Sequence, residues 1–122
     1  MEALNIKSKE GPEHKIQSAI IKMMIRYGWF VMNMHGNMFQ KGVPDLFCCH
    51  AQYGHKWVEV KLPTDHPEGK RSKYTPAQLE TFPILCTHGS PVWTLTAATH
   101  SEYKKLFGEC NWHVYLMTTR GV

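Results

Sequence analysis

Asp45 follows a proline, and fourteen residues later comes the triplet Glu59-Val60-Lys61. Aspartate is a poor strand former and costs free energy when buried unless it is paired or binds a metal. Yet Asp45 stands at the start of the run Pro44 to His50, which reads as a buried strand. The triplet belongs to a second such run, from His55 to Leu62. Side chains at i and i+2 share a face of a strand, so Glu59 and Lys61 point one way and Val58, Val60 and Leu62 the other. If the two strands form a hairpin, the Asp45 and Glu59 carboxylates come close. Two close carboxylates repel, and each resists ionisation in a sheltered cleft; a divalent cation removes the conflict. Hard oxygen ligands suit Mg2+ or Mn2+, and the Val60 carbonyl is available as a third donor. Lys61 beside them is placed to orient a water or to offset negative charge developing on a phosphate. The chemistry this arrangement allows is phosphodiester hydrolysis. Singly the pieces are ordinary: Glu-x-Lys is most often an exposed ion pair worth little, and Pro-Asp is common in turns. On consecutive strands and in this order they are far more specific.

Positioning these groups requires a scaffold, and its elements are legible along the chain. Pro12 to Tyr27 reads as an amphipathic helix, with Pro12 at its first position, Gly28 as its stop, and Ile16, Ile20, Met23, Met24 and Tyr27 on one face. Glu13 falls inside that apolar stripe, where the positive helix N-terminus favours an acid. Trp29 to Met34 follows as a strand, His35 to Val43 as a loop, Pro44 to His50 and His55 to Leu62 as two strands joined by a turn, and Pro63 to Lys73 as a polar loop. Thr75-Pro76-Ala77-Gln78 is a capping box that opens a helix to about His88, with Pro83 expected to kink or divide it. Pro91 to Thr96 is a fourth strand, Thr99 to Glu102 a second capping box opening a short helix to Phe107, and Asn111 to Met117 a last strand. The predicted fold class is α/β, a mixed sheet flanked by helices, in the order αβββαβ plus a short helix and a terminal strand.

The 122 residues suit one domain with one core, spanning 1–122, and 43% hydrophobic with 20% charged residues is ordinary globular usage. No apolar run is long enough to span a bilayer, and Met1 to Gly11 lacks the apolar centre of a signal peptide, so a cytoplasmic chain with no membrane partner is expected. None of Cys48, Cys49, Cys86 and Cys110 forms a C-x-x-C pair, and they read as small hydrophobes rather than zinc ligands. The eight histidines also lack zinc-site spacing, and His50 and His55, flanking a turn, read as solvated. A net charge of +4 is compatible with a polyanion partner without identifying one.

The run Gly42-Val43-Pro44-Asp45-Leu46, then Glu59-Val60-Lys61, then Gln78 on the next helix, resembles the PD-(D/E)xK nuclease superfamily. More narrowly it resembles the virus-type replication-repair nuclease (VRR-NUC) domain, from about Glu13 to Leu95. The resemblance implies a restriction-endonuclease-like core in the element order read above. It also implies residue roles: Asp45 and Glu59 as metal ligands with the Val60 carbonyl, Lys61 as the catalytic lysine, and Glu13 as the acid of the first helix that closes the site, with a water as its route to the metal. Gln78 matches the glutamine that reaches the site from the second helix, although the capping box accounts for it equally well. Mg2+ is the implied cofactor, with Mn2+ as a substitute and no nucleotide cofactor.

The excess of Lys and Arg over Asp and Glu widens once the acids and the lysine of that set are left aside. Lys41, Lys70, Arg71 and Lys73 lie near Asp45 or Lys61 in the chain and are candidates for neutralising phosphates without reading sequence; Phe39 and His35 are weaker ones. No helix-turn-helix or zinc finger is present, so a nuclease of this kind would choose its substrate by shape. Stand-alone members of the family imply cleavage of branched DNA such as Holliday junctions, a phage or mobile-element origin, and a homodimer, since symmetric cutting of two strands needs two sites. The alternatives are a non-catalytic DNA-binding or assembly module on the same fold, and a nicking or restriction-type nuclease without branch selectivity.

Overall fold

Pro12 and Gly28 bracket the first helix as their backbone preferences require. Pro12 starts α1 (Pro12–Arg26) at N1, and Gly28, at φ +93°, turns the chain out of it. The computed structural model describes residues 11–34, 41–63 and 73–113. After α1 come β1 (Phe30–Asn33), β2 (Leu46–His50), β3 (Gly54–Val60), α2 (Pro76–Thr87), β4 (Val92–Leu95), α3 (His100–Lys104) and a 3-10 turn, Lys105–Phe107. The strands form one open sheet in the order β1-β2-β3-β4. β1–β2 and β2–β3 are antiparallel, and β3–β4 is parallel, with α2 supplying the crossover that a parallel pair needs. This is the mixed, helix-flanked sheet of a restriction-endonuclease-like core.

Strand alternation divides the core between the two faces of the sheet. Leu46 and Cys48 of β2, Val58 and Val60 of β3 and Trp93 and Leu95 of β4 pack with Ile20 and Met24 of α1, Trp29 and Leu106. Phe82 of α2 is fully buried on the other face with Val92 and Tyr74, against Trp57, Leu79, Leu85 and Trp112. Each face thus hides its own apolar set under its own helix. Among the described residues no helix is long and apolar enough to cross a membrane.

Several expectations from the sequence are revised. Pro83 does not divide α2, which runs unbroken from Pro76 to Thr87. Proline removes only the bond to the residue 79 carbonyl, and buried Phe82 beside it anchors both halves. The second capping box is half made: Thr99 Oγ1 accepts from Glu102 N, but the Glu102 carboxylate turns to the Thr96 N–H at 2.9 Å and to Lys105. The strand expected over Asn111 to Met117 does not begin there. Trp112 and His113 are helical, and residues 114–117 lie outside the described residues. Asn111 instead caps the outer edge of β4 with its side chain, accepting from Thr94 N at 2.7 Å and donating to Thr94 O at 3.1 Å. A single amide thereby satisfies both groups that a fifth strand would have paired. His55 is exposed as expected, but His50 is half-buried, its Nε2 3.2 Å from the Tyr27 carbonyl and its ring against Trp29 and Tyr53.

Candidate active site

The β2–β3 register places the acids. Leu46 pairs with Val58, so the next position sets Asp45 opposite Glu59. The two are cross-linked through each other's backbone: Asp45 N donates to Glu59 Oε1 at 3.1 Å, and Val60 N donates to Asp45 Oδ2 at 2.9 Å. One position further, the register sets Pro44 opposite Val60. A proline has no N–H to give, so the ladder bond that the Val60 carbonyl would accept from residue 44 is withheld. This is a physical reason for a proline before the aspartate.

Glu59 and Lys61 are 2% and 5% exposed, which rejects their reading as a surface ion pair. Lys61 Nζ stands 3.4 Å from Glu59 Oε2, donates to the Lys73 carbonyl at 2.8 Å, lies 3.5 Å from Gln78 Oε1 and sits over the Tyr74 ring at 5.1 Å. All three ammonium protons therefore have partners within the protein. The Tyr74 hydroxyl bonds Thr94 Oγ1 and donates to the Trp112 carbonyl, which fixes the ring.

Gln78 serves the helix and the site together. Its Oε1 accepts from Thr75 N at 3.0 Å and its backbone N–H donates to Thr75 Oγ1, the capping box read in the sequence. Its Nε2 meanwhile donates to Glu59 Oε2 at 2.8 Å. The first turn of α2 is thus tied to the carboxylate.

Burial pushes the Glu59 carboxyl up to about 8, the Asp45 charge adds to the push, and Lys61 and Gln78 oppose it. A divalent cation between the carboxylates would offset both upward causes with its positive charge. Asp45, Glu59 and the Val60 carbonyl are hard oxygen donors of the kind Mg2+ or Mn2+ takes, so the donor set fits such an ion. Glu13 does not complete a third carboxylate. Among the described residues no three His, Cys, Asp or Glu side chains gather as a metal-holding group. Glu13 is half-buried in the first turn of α1, one turn before Gln17, which donates to Asn33 Oδ1 at the end of β1. The buried face of α1 packs on the side of the sheet opposite Glu59.

Lys41 and Lys73 are exposed near this site, while Lys70 and Arg71, like Phe39 and His35, lie outside the described residues. Sequence reasoning missed Tyr74, and quoted Gly42 in the motif without its packing reason. Nothing in local spacing marks a ring beneath a lysine thirteen residues away. Gly42 carried a signal, since a glycine three residues before a site aspartate needs a reason. A Cβ there would come within 2.6 Å of the Ala77 carbonyl oxygen of α2 and 2.5 Å of Thr81 Oγ1.

By sequence, no protein-family model and no curated protein matches the chain. By structure it is similar to a solved chain described as a VRR_NUC domain, with a TM-score of 0.61 and 19% identity over 80% of this chain and 97% of that one. At that identity the likeness shows a shared fold.

Proposed function

We propose that the chain is a divalent-metal-dependent DNA endonuclease acting on branched DNA, Holliday junctions in particular. The observation that carries the reading is the set of half-buried Asp45 with buried Glu59 and Lys61 on neighbouring strand ends, and Gln78 bonded to both Glu59 and Lys61. The fold shared with a VRR_NUC domain supports it. Asp45, Glu59 and the Val60 carbonyl would hold Mg2+, with Mn2+ as a substitute. Held there, the ion supplies positive charge to the phosphate being cleaved and acidifies a water.

The protein's own part follows from the contacts. Asp45 and Glu59 are each aimed by a backbone N–H of the facing strand, so their oxygens are placed before any ligand arrives. Gln78 holds Glu59 Oε2 and faces Lys61, fixing the spacing between carboxylate and ammonium. Lys61 exchanges one of its three internal partners for a phosphate oxygen or for the attacking water, and the Tyr74 ring keeps the ammonium in place during the exchange. Lys41 and Lys73 take flanking phosphates without reading bases. Cutting both strands of a junction requires two such sites, so a homodimer is part of the proposal.

The test is a panel of labelled junction, flap and linear duplex substrates with Mg2+ or with EDTA. Wild-type protein is expected to cut the junction fastest and only with Mg2+, and Asp45→Asn or Lys61→Ala to lower the rate by at least about 100-fold while binding DNA. Full cleavage by Asp45→Asn protein would defeat the nuclease assignment, and equal rates on all three substrates would defeat branch selectivity.

A further inference from the structure

α2 covers only half of the sheet face that carries the carboxylates. Phe82, Leu79 and Leu85 pack over Trp57 and Val92, on the β3–β4 side. On the β1–β2 side the same face continues from Asp45 to Phe47 and Cys49. Met32 pairs with Phe47 and Phe30 with Cys49 in register, so their side chains share that face. There Phe30 is 63% exposed and Met32 46%, on the edge strand of the sheet. Phe47 lies between them and the covered half, its ring centroid 4.7 Å from that of Trp57 and 5.6 Å from that of His55.

We infer that this strip, exposed Phe30 and Met32 with half-buried Phe47, is a stacking surface for unpaired nucleotides of the DNA strand held at the carboxylates. The inference rests on the nuclease reading and names the substrate feature that the site would select. The strip is continuous with the site: side chains on one strand face repeat at roughly 7 Å, so Phe30 stands about two repeats from the Asp45–Glu59 row. Its charge suits a polyanion, because exposed Lys73, whose carbonyl accepts from Lys61, and exposed Lys41, next to Gly42 against α2, stand at the carboxylate end, and no acid lies in the paired rows between it and Phe30. Cations that track the backbone beside rings that take base faces make a single-strand-binding groove. In an intact duplex the base faces are hidden in the stack. An aromatic ring therefore meets one only where the strand is unpaired, at a flap, a gap or a branch point. The strip converts a site that cannot read sequence into one that reads unpairing.

The experiment measures binding of fluorescein-labelled single-stranded, flapped and blunt duplex oligonucleotides to wild type and to a Phe30→Ala/Met32→Ala variant. Both replaced side chains are exposed, and circular dichroism melts confirm folding. The variant is expected to bind single-stranded and flapped DNA about tenfold or more weakly, with the blunt duplex changed about twofold or less. Phe30→Trp is expected to retain binding and to quench a 2-aminopurine placed beside the cut position. Equal loss on all three substrates, or no loss, overturns the inference. So does a fall in molar mass by light scattering in the variant, which would assign the strip to a second copy of the chain. If wild type cuts DNA but the variant keeps its substrate ratios, this inference alone fails. If wild type neither binds nor cuts any DNA, the nuclease reading fails and the inference with it.

Discussion

Glu59 is the residue in which burial and function are in tension. A carboxylate at 2% exposure, facing another carboxylate, is an unstable arrangement unless something positive compensates, and Lys61 does so only in part. Its carboxyl ionises near 4.5 in an unfolded chain and near 8 in the folded one. Between those values the folded protein keeps a proton that the unfolded chain has released. This group's contribution is therefore intact below about pH 4.5 and is lost as the pH rises through about 8, at no more than about 1.4 kcal/mol per unit. In EDTA, urea unfolding at pH 5 and pH 8.5 is expected to show lower stability at the higher pH, and Glu59→Gln to flatten much of the difference. An identical pH slope in the two proteins would mean that Glu59 is not the strained group. Saturating Mg2+ is expected to restore stability at pH 8.5 in wild type and less in the variant, because a ligand that binds only the folded state stabilises it.

At the scale of elements, the site depends on how the segment before β2 docks on α2. Gly42 has φ +87° and no room for a Cβ between Ala77 and Thr81. The same helix turn presents Gln78 to Glu59, so this contact fixes the distance between Asp45 and its partners. Gly42→Ala is expected to cost about 2–4 kcal/mol in urea unfolding, from backbone strain and overpacking together, and to lower cleavage in the molecules that still fold. Gly54→Ala is the matched control. Gly54 also has a positive φ, +77°, but open space around it, so only the strain of about 1 kcal/mol applies. Equal costs for the two would show that the approach of Gly42 to α2 is immaterial.

For the whole molecule the relevant quantity is charge. A chain of net charge +4, with its acids partly sequestered in the site, attracts polyanions chiefly through released counterions. DNA affinity is expected to fall by about tenfold or more between 50 and 200 mM salt, in a log–log plot whose slope drops when Lys41 and Lys73 are both replaced by alanine. An affinity independent of salt would remove phosphate contact from the account. The two-sided core makes such exposed substitutions safe, since neither lysine belongs to the apolar sets on either face of the sheet.

Local order was written in the sequence. The helix stop at Gly28, the Thr75 cap, strand alternation and the pairing of Asp45 with Glu59 all follow from spacing, because each depends on residues a few positions apart or on a hairpin register. The tertiary structure decided whatever depends on groups far apart in the chain. It buried the Glu59–Lys61 pair beneath α2, gave Gln78 its second partner and set Tyr74 under Lys61. It kept Pro83 within a continuous helix, turned Asn111 from a strand residue into an edge cap, and left Glu13 out of a three-acid cluster. The reason is that periodicity encodes which way a side chain points, whereas burial, charge coupling and contact depend on what packs against it from elsewhere.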